Sequence, residues 1–341
     1  MQATDSVRGD IRYLVIVMVI NMKPNFLFAA AVLLVLGVSA LVAQEGRQGG
    51  GAANQGARIN WNANTPWGPR EGAIMGLPMD QQKTAPFKVF DNVYYVGLRS
   101  VGSYLITTNA GLVLIDAGYA VTSDIILDNI KEAGFNPANV RYILLTHQHA
   151  DHWGGAAKVK QVSGARVGLS LLDWQGIEEL QKPGQRGQRG AENNALILAR
   201  DLVINDGETI KVGDSAFKFY VTPGHTPGAL SIEFQVRDGA KSYRALVPGG
   251  IGMANQPPAL TKPMIQTLER FKQLGPWDVM LPNHPFLSPT DILADVKPAL
   301  ANRKPGDPHP AVYGSEALNR HFDAVLKVAN EKLAYEQKGS Q

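Results

Sequence analysis

Short apolar runs broken by Asn, Gly and Asp open the patterned part of the chain near residue 85. The runs "NVYYVG", "GSYLITT" and "GLVLIDAG" are rich in Val, Ile, Leu and Tyr and predict a meander of three strands. The period then changes. In "AVTSDIILDNIKEAG", Ile125, Ile126, Ile130 and Ala133 recur at helical spacing and Gly134 marks the stop. "VRYILLTH" predicts a buried strand and "GGAAKVKQVSG" a helix, and "ARVGLS" with "LLDWQGIEELQ" repeats that step. A second β-rich block follows in "DLVIN", "ETIKVG", "SAFKFYVTPG", "ALSIEFQVRDG" and "YRALVPG", with a hairpin turn expected at Asp238 and Gly239. Helical spacing returns in "TKPMIQTLERFKQLG", then comes the strand "WDVMLPNH", then helices to the C-terminus. No repeat is visible. The order predicts one α/β domain over residues 85–335 with sheets inside and helices outside.

Upstream the pattern is of another kind. "MKPNFLFAAAVLLVLGVSALVAQEG", from Met22, has a positive start at Lys23, an apolar run to Ala43 and small residues suited to cleavage, which is the layout of a secretory signal. A run of this length also approaches that of a membrane anchor. The reading adopted is export to the periplasm or the medium, with inner-membrane anchoring as the alternative and residues 1–21 as the product of an upstream start codon. Residues 1–43 are thus an extension plus signal peptide. Residues 44–84, rich in Gly, Asn, Gln and Pro, form a linker or N-terminal arm that begins flexible, and Trp61 and Trp67 suggest that its later part packs on the domain. A polar, Gly/Arg-rich stretch at 182–194 predicts a surface loop that could flank a cleft.

Composition removes several classes of function. The formal charge of +3 is spread singly, so no basic stripe argues for nucleic acid. There is no cysteine, which excludes disulfides, thiolate metal sites and cysteine nucleophiles. Any metal must be held by nitrogen and oxygen.

The chain has seven histidines, and three of them stand in "THQHADHWGG". His147 and His149, two apart after a strand, point to one side, and the following turn swings Asp151 and His152 toward the same place. One metal could not use all four comfortably, whereas two ions about 3.5–4 Å apart could share a bridging water. His225 in "TPGHTPG" and His284 in "LPNHPF" each follow an apolar strand beside Pro and Gly, so they reach the same end of the sheets. His309 and His321, in a polar loop and a C-terminal helix, are given no role. Imidazole and carboxylate without sulfur suit Zn2+, with Mn2+ and Fe2+ open.

"THQHADHWGG", "GLVLIDAG", "VTPGHTPGALS" and "LPNHP" together resemble the metallo-β-lactamase superfamily over about residues 85–300. "APFKVFDNVYYVG", the signal-like segment and the late "NHP" are similar to its subclass B3. The resemblance implies a four-layer αββα sandwich with a metal site at one edge. It also implies two Zn2+ per chain, the first on His147, His149 and His225 and the second on Asp151, His152 and His284. Asp116 then corresponds to the aspartate that braces the metal loop, although a strand-end turn cap fits it as well.

The function so implied is a dinuclear zinc hydrolase that opens the amide ring of β-lactams with a metal-bridging hydroxide, Asp151 orienting it and taking its proton. The partner expected is a small molecule, either a β-lactam or a lactone, with no nucleic acid and no stable membrane association once the signal is cleaved. Thioesterases, lactonases and phosphodiesterases of the superfamily place a metal-bridging aspartate between His225 and the last histidine; "YRALVPGGIGMANQPP" has no Asp, Glu or Cys. That favours the B3-like ligand set. A serine common near this place in B3 enzymes is replaced by Gly249 and Gly250, which bears on recognition of a substrate carboxylate. A lactonase or other ester or thioester hydrolase is the alternative, and a non-catalytic metal- or ligand-binding relative a further one. Trp61, Trp67 and Trp153 could line a pocket, but packing is the reading preferred.

Overall fold

A computed structural model describes residues 60–183, 196–254 and 256–339. The signal-like segment, the first part of the arm and most of the 182–194 loop lie outside the described residues. Twelve strands among the described residues form two sheets. The first sheet runs in chain order: β1 (Phe87–Phe90), β2 (Val93–Tyr95), β3 (Tyr104–Thr108), β4 (Gly111–Ile115), β5 (Val140–Leu144), β6 (Arg166–Leu169) and β7 (Leu202–Val203). It is antiparallel through β4 and parallel from β4 to β7. The meander thus has four strands rather than three, because the Phe87–Phe90 run pairs with β2.

The second sheet comprises β8 (Thr209–Val212), β9 (Ser215–Val221), β10 (Leu230–Asp238), β11 (Lys241–Val247) and β12 (Val279–Met280), in the order β12-β11-β10-β9-β8. Asp238 pairs with Lys241, so the two-residue hairpin turn falls on Gly239 and Ala240, one residue later than expected.

Strand parity explains the layers. Tyr104, Ile106, Val113 and Ile115 point inward to meet Phe217, Phe219, Ile232 and Phe234 of the second sheet. Their alternates Leu105, Leu112 and Leu114 point outward, against Ile126 and Ile130 of α2 (Ser123–Glu132), Val159 of α4 (Ala156–Ser163) and Trp174 and Ile177 of α5 (Leu171–Leu180). Tyr220 and Leu246 cover the other outer face with α6 (Thr261–Leu274) and α8 (Gly314–Gly339), through Met264, Leu268, Phe271, Phe322 and Val325. The result is the αββα sandwich. Three short helices complete the set: α1 (Gly68–Met75), α3 (Ala150–Trp153) and α7 (Lys297–Ala301). None of the described helices is long and apolar enough to cross a membrane.

The described part of the arm carries α1, and Trp67 just before it is fully buried with the α6–α8 cluster. Trp67 packs 5.7 Å from the ring of His321, whose Nε2–H donates to the Leu287 carbonyl at 2.9 Å. The other uninvolved histidine, His309, stacks on Phe90 at 4.0 Å and donates to the Val89 carbonyl at 2.8 Å. Both are core groups.

Burial, reinforced by Arg70 and only partly offset by the Leu287 bond, pushes the His321 pKa down to about 4. The unfolded chain therefore takes up this proton first as pH falls through about 6.5. Stability from neutral His321 is complete above that pH and is lost progressively down to about pH 4, amounting to at most about 3 kcal/mol. Urea midpoints across that range are expected to fall less steeply for His321→Gln than for the wild type; parallel curves would refute the assignment.

Candidate metal centre

The site is built where the two sheets meet at one edge. Past the end of β5, the Thr146 carbonyl accepts the N–H of Leu230 at the head of β10 (2.7 Å). That cross-sheet bond sets the β9–β10 loop, with His225, beside His147. His149 keeps an extended backbone and caps the single turn of α3, which carries Asp151 and His152. His284 arrives on the loop after β12.

Six side chains named from sequence converge in two groups: His147, His149 and His225 in one, Asp151, His152 and His284 in the other. Within each group the candidate ligand atoms lie within 4.8 Å of one another. The groups adjoin, since the rings of His147 and His152 are 4.1 Å apart. His147 and His152 are fully buried, and His149 is exposed at the mouth.

The outer hydrogen bonds decide what these rings present inward. Asp116, at the end of β4, adopts a left-handed backbone (φ 56°), which an aspartate tolerates better than most residues. Its Oδ1 accepts Thr146 N–H (2.8 Å), while its Oδ2 accepts the Thr146 hydroxyl and His152 Nδ1–H, each at 2.8 Å. With its proton committed to Asp116, the Thr146 oxygen accepts Nδ1–H of His147 (3.0 Å). Nδ1–H of His225 donates to the Gly252 carbonyl (2.8 Å) and Nδ1–H of His284 to the Ser100 carbonyl (2.6 Å). In its neutral form each of these four rings thereby carries its proton on Nδ1 and turns Nε2 inward.

Those nitrogens lie close together. Nε2 of His147 and Nε2 of His225 each lie 3.0 Å from Nδ1 of His149. Nε2 of His152 lies 3.3 Å from Nε2 of His284, and Asp151 Oδ2 is 3.3 and 3.6 Å from the same two atoms. His149 Nδ1 carries at most one proton against the two nitrogens that face it, and Asp151 Oδ2 adds an acceptor beside His152 and His284, so the donor set fits a borderline metal such as zinc. The charges agree. Burial opposes a proton on His152, yet Asp151 and Asp116 outweigh it and hold its pKa up to about 10, the mark of a place that calls for positive charge. Burial and then the neighbouring His152 push His284 down to about 4. Burial also opposes ionisation of Asp151, but His152, His284 and His149 overcome it and keep the carboxyl well below the usual carboxylate range.

Support from farther away was not foreseen from the sequence. Gln82 of the arm accepts Ser100 N–H (3.1 Å) and its hydroxyl (2.7 Å), fixing the carbonyl that orients His284. Asn62 accepts Met253 N–H (2.6 Å), next to the Gly252 carbonyl that orients His225. Asp173 in α5 accepts from residues on either side of the three-histidine group. Of these only Asp173 left a trace, since "SLLD" is a helix-start signature, and that signature says nothing of metal. Trp153 is buried, its indole N–H on the Gln148 carbonyl (2.8 Å), so it packs rather than lining a pocket.

Gly249 and Gly250 cannot be read as a lost serine on an unchanged backbone. Gly250 has φ 124°, and a Cβ there would stand 2.5 Å from Cδ2 of His225. A Cβ on Gly249 would meet the Leu230 nitrogen at 2.8 Å. The His225 ring at one position and the Leu230 backbone at the other leave no room for a side chain.

Comparison with known proteins gives the same picture at two ranges. BJP-1, a subclass B3 metallo-β-lactamase of Bradyrhizobium japonicum, superposes with a TM-score of 0.64 at 26% identity, covering 76% of this chain and 98% of that one. Among curated sequences, a hydroxyacylglutathione hydrolase of Cereibacter sphaeroides is 26% identical over 188 residues, 53% of this chain and 64% of the relative. The hydroxyacylglutathione hydrolase GloC of Haemophilus influenzae is 32% identical over 120 residues, 35% of this chain and 56% of the relative. The matches thus span less than two thirds of these curated relatives' length. The family model of the metallo-beta-lactamase superfamily matches residues 96–281, from the end of β2 past β12. That span takes in β3 to β12 and more than half of the chain, and the chain belongs to the metallo-β-lactamase superfamily.

Proposed function

We propose that this protein is a periplasmic or secreted hydrolase that holds two zinc ions and opens the ring of β-lactams. The observation that carries the reading is the ligand pattern: three imidazoles in one group, one carboxylate and two imidazoles in the other, in a fold that covers nearly all of a B3 enzyme. Residues 248–260 offer no third acid to bridge two ions. The second reading, hydrolysis of a thioester, is favoured by the names of the curated relatives.

In this reading His147, His149 and His225 hold one ion and Asp151, His152 and His284 the other. Zinc bound there supplies a Lewis acid and a water of lowered pKa. Asp116 keeps His152 in the ligating tautomer, and the Gly252 and Ser100 carbonyls do so for His225 and His284. Asp151 stays ionised and orients the attacking water by hydrogen bonding. In this reading it would also accept that water's proton. Recognition of the substrate's own carboxylate falls to backbone or to a residue outside the 249–250 turn, which has no room for a side chain.

Purified protein is expected to carry two zinc ions, to hydrolyse a chromogenic cephalosporin faster than an acylglutathione thioester, and to lose that activity to a chelator and regain it with zinc. Turnover of the thioester alone would move the assignment to the second reading. Asp116→Asn is expected to lower metal affinity or kcat/KM by roughly 10- to 100-fold, and His225→Ala by more. The segment ending near Ala43 supports export, so protein recovered from the periplasm or medium is expected to begin shortly after that residue. Intact mass that retains residues 22–43 in a membrane fraction would contradict this.

A further inference from the structure

Asp173 is a fully buried carboxylate, and among the described residues no Lys, Arg or His stands within ion-pairing distance of it. Its compensation consists of hydrogen bonds alone. Oδ2 accepts the N–H of Gln148 (2.9 Å) and the hydroxyl of Thr226 (2.6 Å), and Oδ1 accepts the N–H of Gly228 (2.7 Å). Gln148 lies between His147 and His149, and Thr226 follows His225 directly. One carboxylate oxygen therefore ties together the two chain segments, 76 residues apart at their histidines, that deliver the three-histidine group.

The rest of the local structure is arranged around that tie. Ser170, the N-cap of α5, donates its hydroxyl to the Gly228 carbonyl (2.5 Å), so Gly228 is gripped through both its N–H and its C=O. A Cβ on Gly228 would stand 2.7 Å from Asp173 Oδ1, leaving no room for any larger residue. Three donors require acceptors on both terminal atoms, which a carboxylate supplies and an amide does not. Asparagine would turn its NH2 group toward an N–H or O–H that needs an acceptor.

We propose that Asp173 is the positioning residue of the three-histidine half of the metal centre, clamping the Gln148 and Thr226–Gly228 backbones so that His149 and His225 meet at one ion. It acts through the loops that carry the ligating rings, by its bonds to Gln148, Thr226 and Gly228. The inference rests on the two-ion reading above. The Asp151, His152 and His284 group shares none of the three donors, so the effect belongs to one half of the site.

The test is zinc affinity by chelator competition, with electronic spectra of the cobalt(II)-loaded protein, on full-length wild type and variants. Asp173→Asn is expected to weaken one of the two ions by roughly 10- to 100-fold and leave the other within about twofold. Thr226→Val, which removes one donor and keeps the shape, is expected to weaken the same ion by up to about tenfold, and it serves if Asp173→Asn fails to fold. Asp201→Asn is the control. That carboxylate accepts from Lys160, Arg166 and Val167 N–H away from the metal loops, so its loss lowers the unfolding temperature without changing either affinity. Unchanged affinities in Asp173→Asn or, if it does not fold, in Thr226→Val, equal weakening of both ions, or a loss matched by Asp201→Asn at equal destabilisation would overturn the clamp and leave the hydrolase reading intact. A wild type that holds no ion on the three histidines overturns both.

Discussion

Ring nitrogens brought within 3.0–3.3 Å of one another outnumber the protons that could join them, and the site depends on that crowding being enforced. Left free, the rings would rotate or change tautomer and share protons. Here a carboxylate, a hydroxyl and two carbonyls occupy the outer nitrogens and remove that escape. The stress built into four buried or half-buried imidazoles is relieved by positive charge at the centre, which is why the geometry reads as a metal centre rather than as a satisfied polar core.

Each outer acceptor belongs to a different part of the fold, so the sandwich as a whole does the enforcing. Asp116 comes from the end of β4, Thr146 from the end of β5, Gly252 from the loop after β11, and Ser100 from the turn between β2 and β3. The arm reaches across to the last two, Asn62 beside Gly252 and Gln82 on Ser100. The two sheets are also joined at the site by the Thr146 to Leu230 bond. A sheet shift of an ångström would therefore be felt first at the imidazoles, because interiors packed this densely transmit displacement rather than absorb it.

The sequence made the six converging residues legible because their signal is local. His147, His149, Asp151 and His152 fall within six positions, and His225 and His284 stand at strand ends marked by Pro and Gly. The strands were legible through their enrichment in Val, Ile, Leu and Tyr and the turn residues between them. What was not legible is pairing at a distance. Gln82 meets Ser100 across 18 residues, Asn62 meets Met253 across 191, and His309 enters the core by bonding Val89 across 220. A glutamine, an asparagine or a histidine in a polar stretch carries no local mark of such a partner. The fourth strand of the first sheet was missed for a related reason: Phe87–Phe90 is too short to show a period, and its pairing with β2 is what makes it a strand.

The ligand set and the substrate are separate questions in this fold, and the 249–250 turn shows why. The turn presses against the ring of His225 so closely that only glycine fits, which gains a firm wall for that ligand. It leaves no room for a side chain at either position. The same loop then supplies the Gly252 carbonyl that sets the His225 tautomer. Under the proposed reading, contact with a substrate would come from other residues around the mouth. The chain superposes on a B3 β-lactamase over three quarters of its length while its curated sequence relatives include hydroxyacylglutathione hydrolases, so likeness of fold and likeness of sequence point to differently named enzymes.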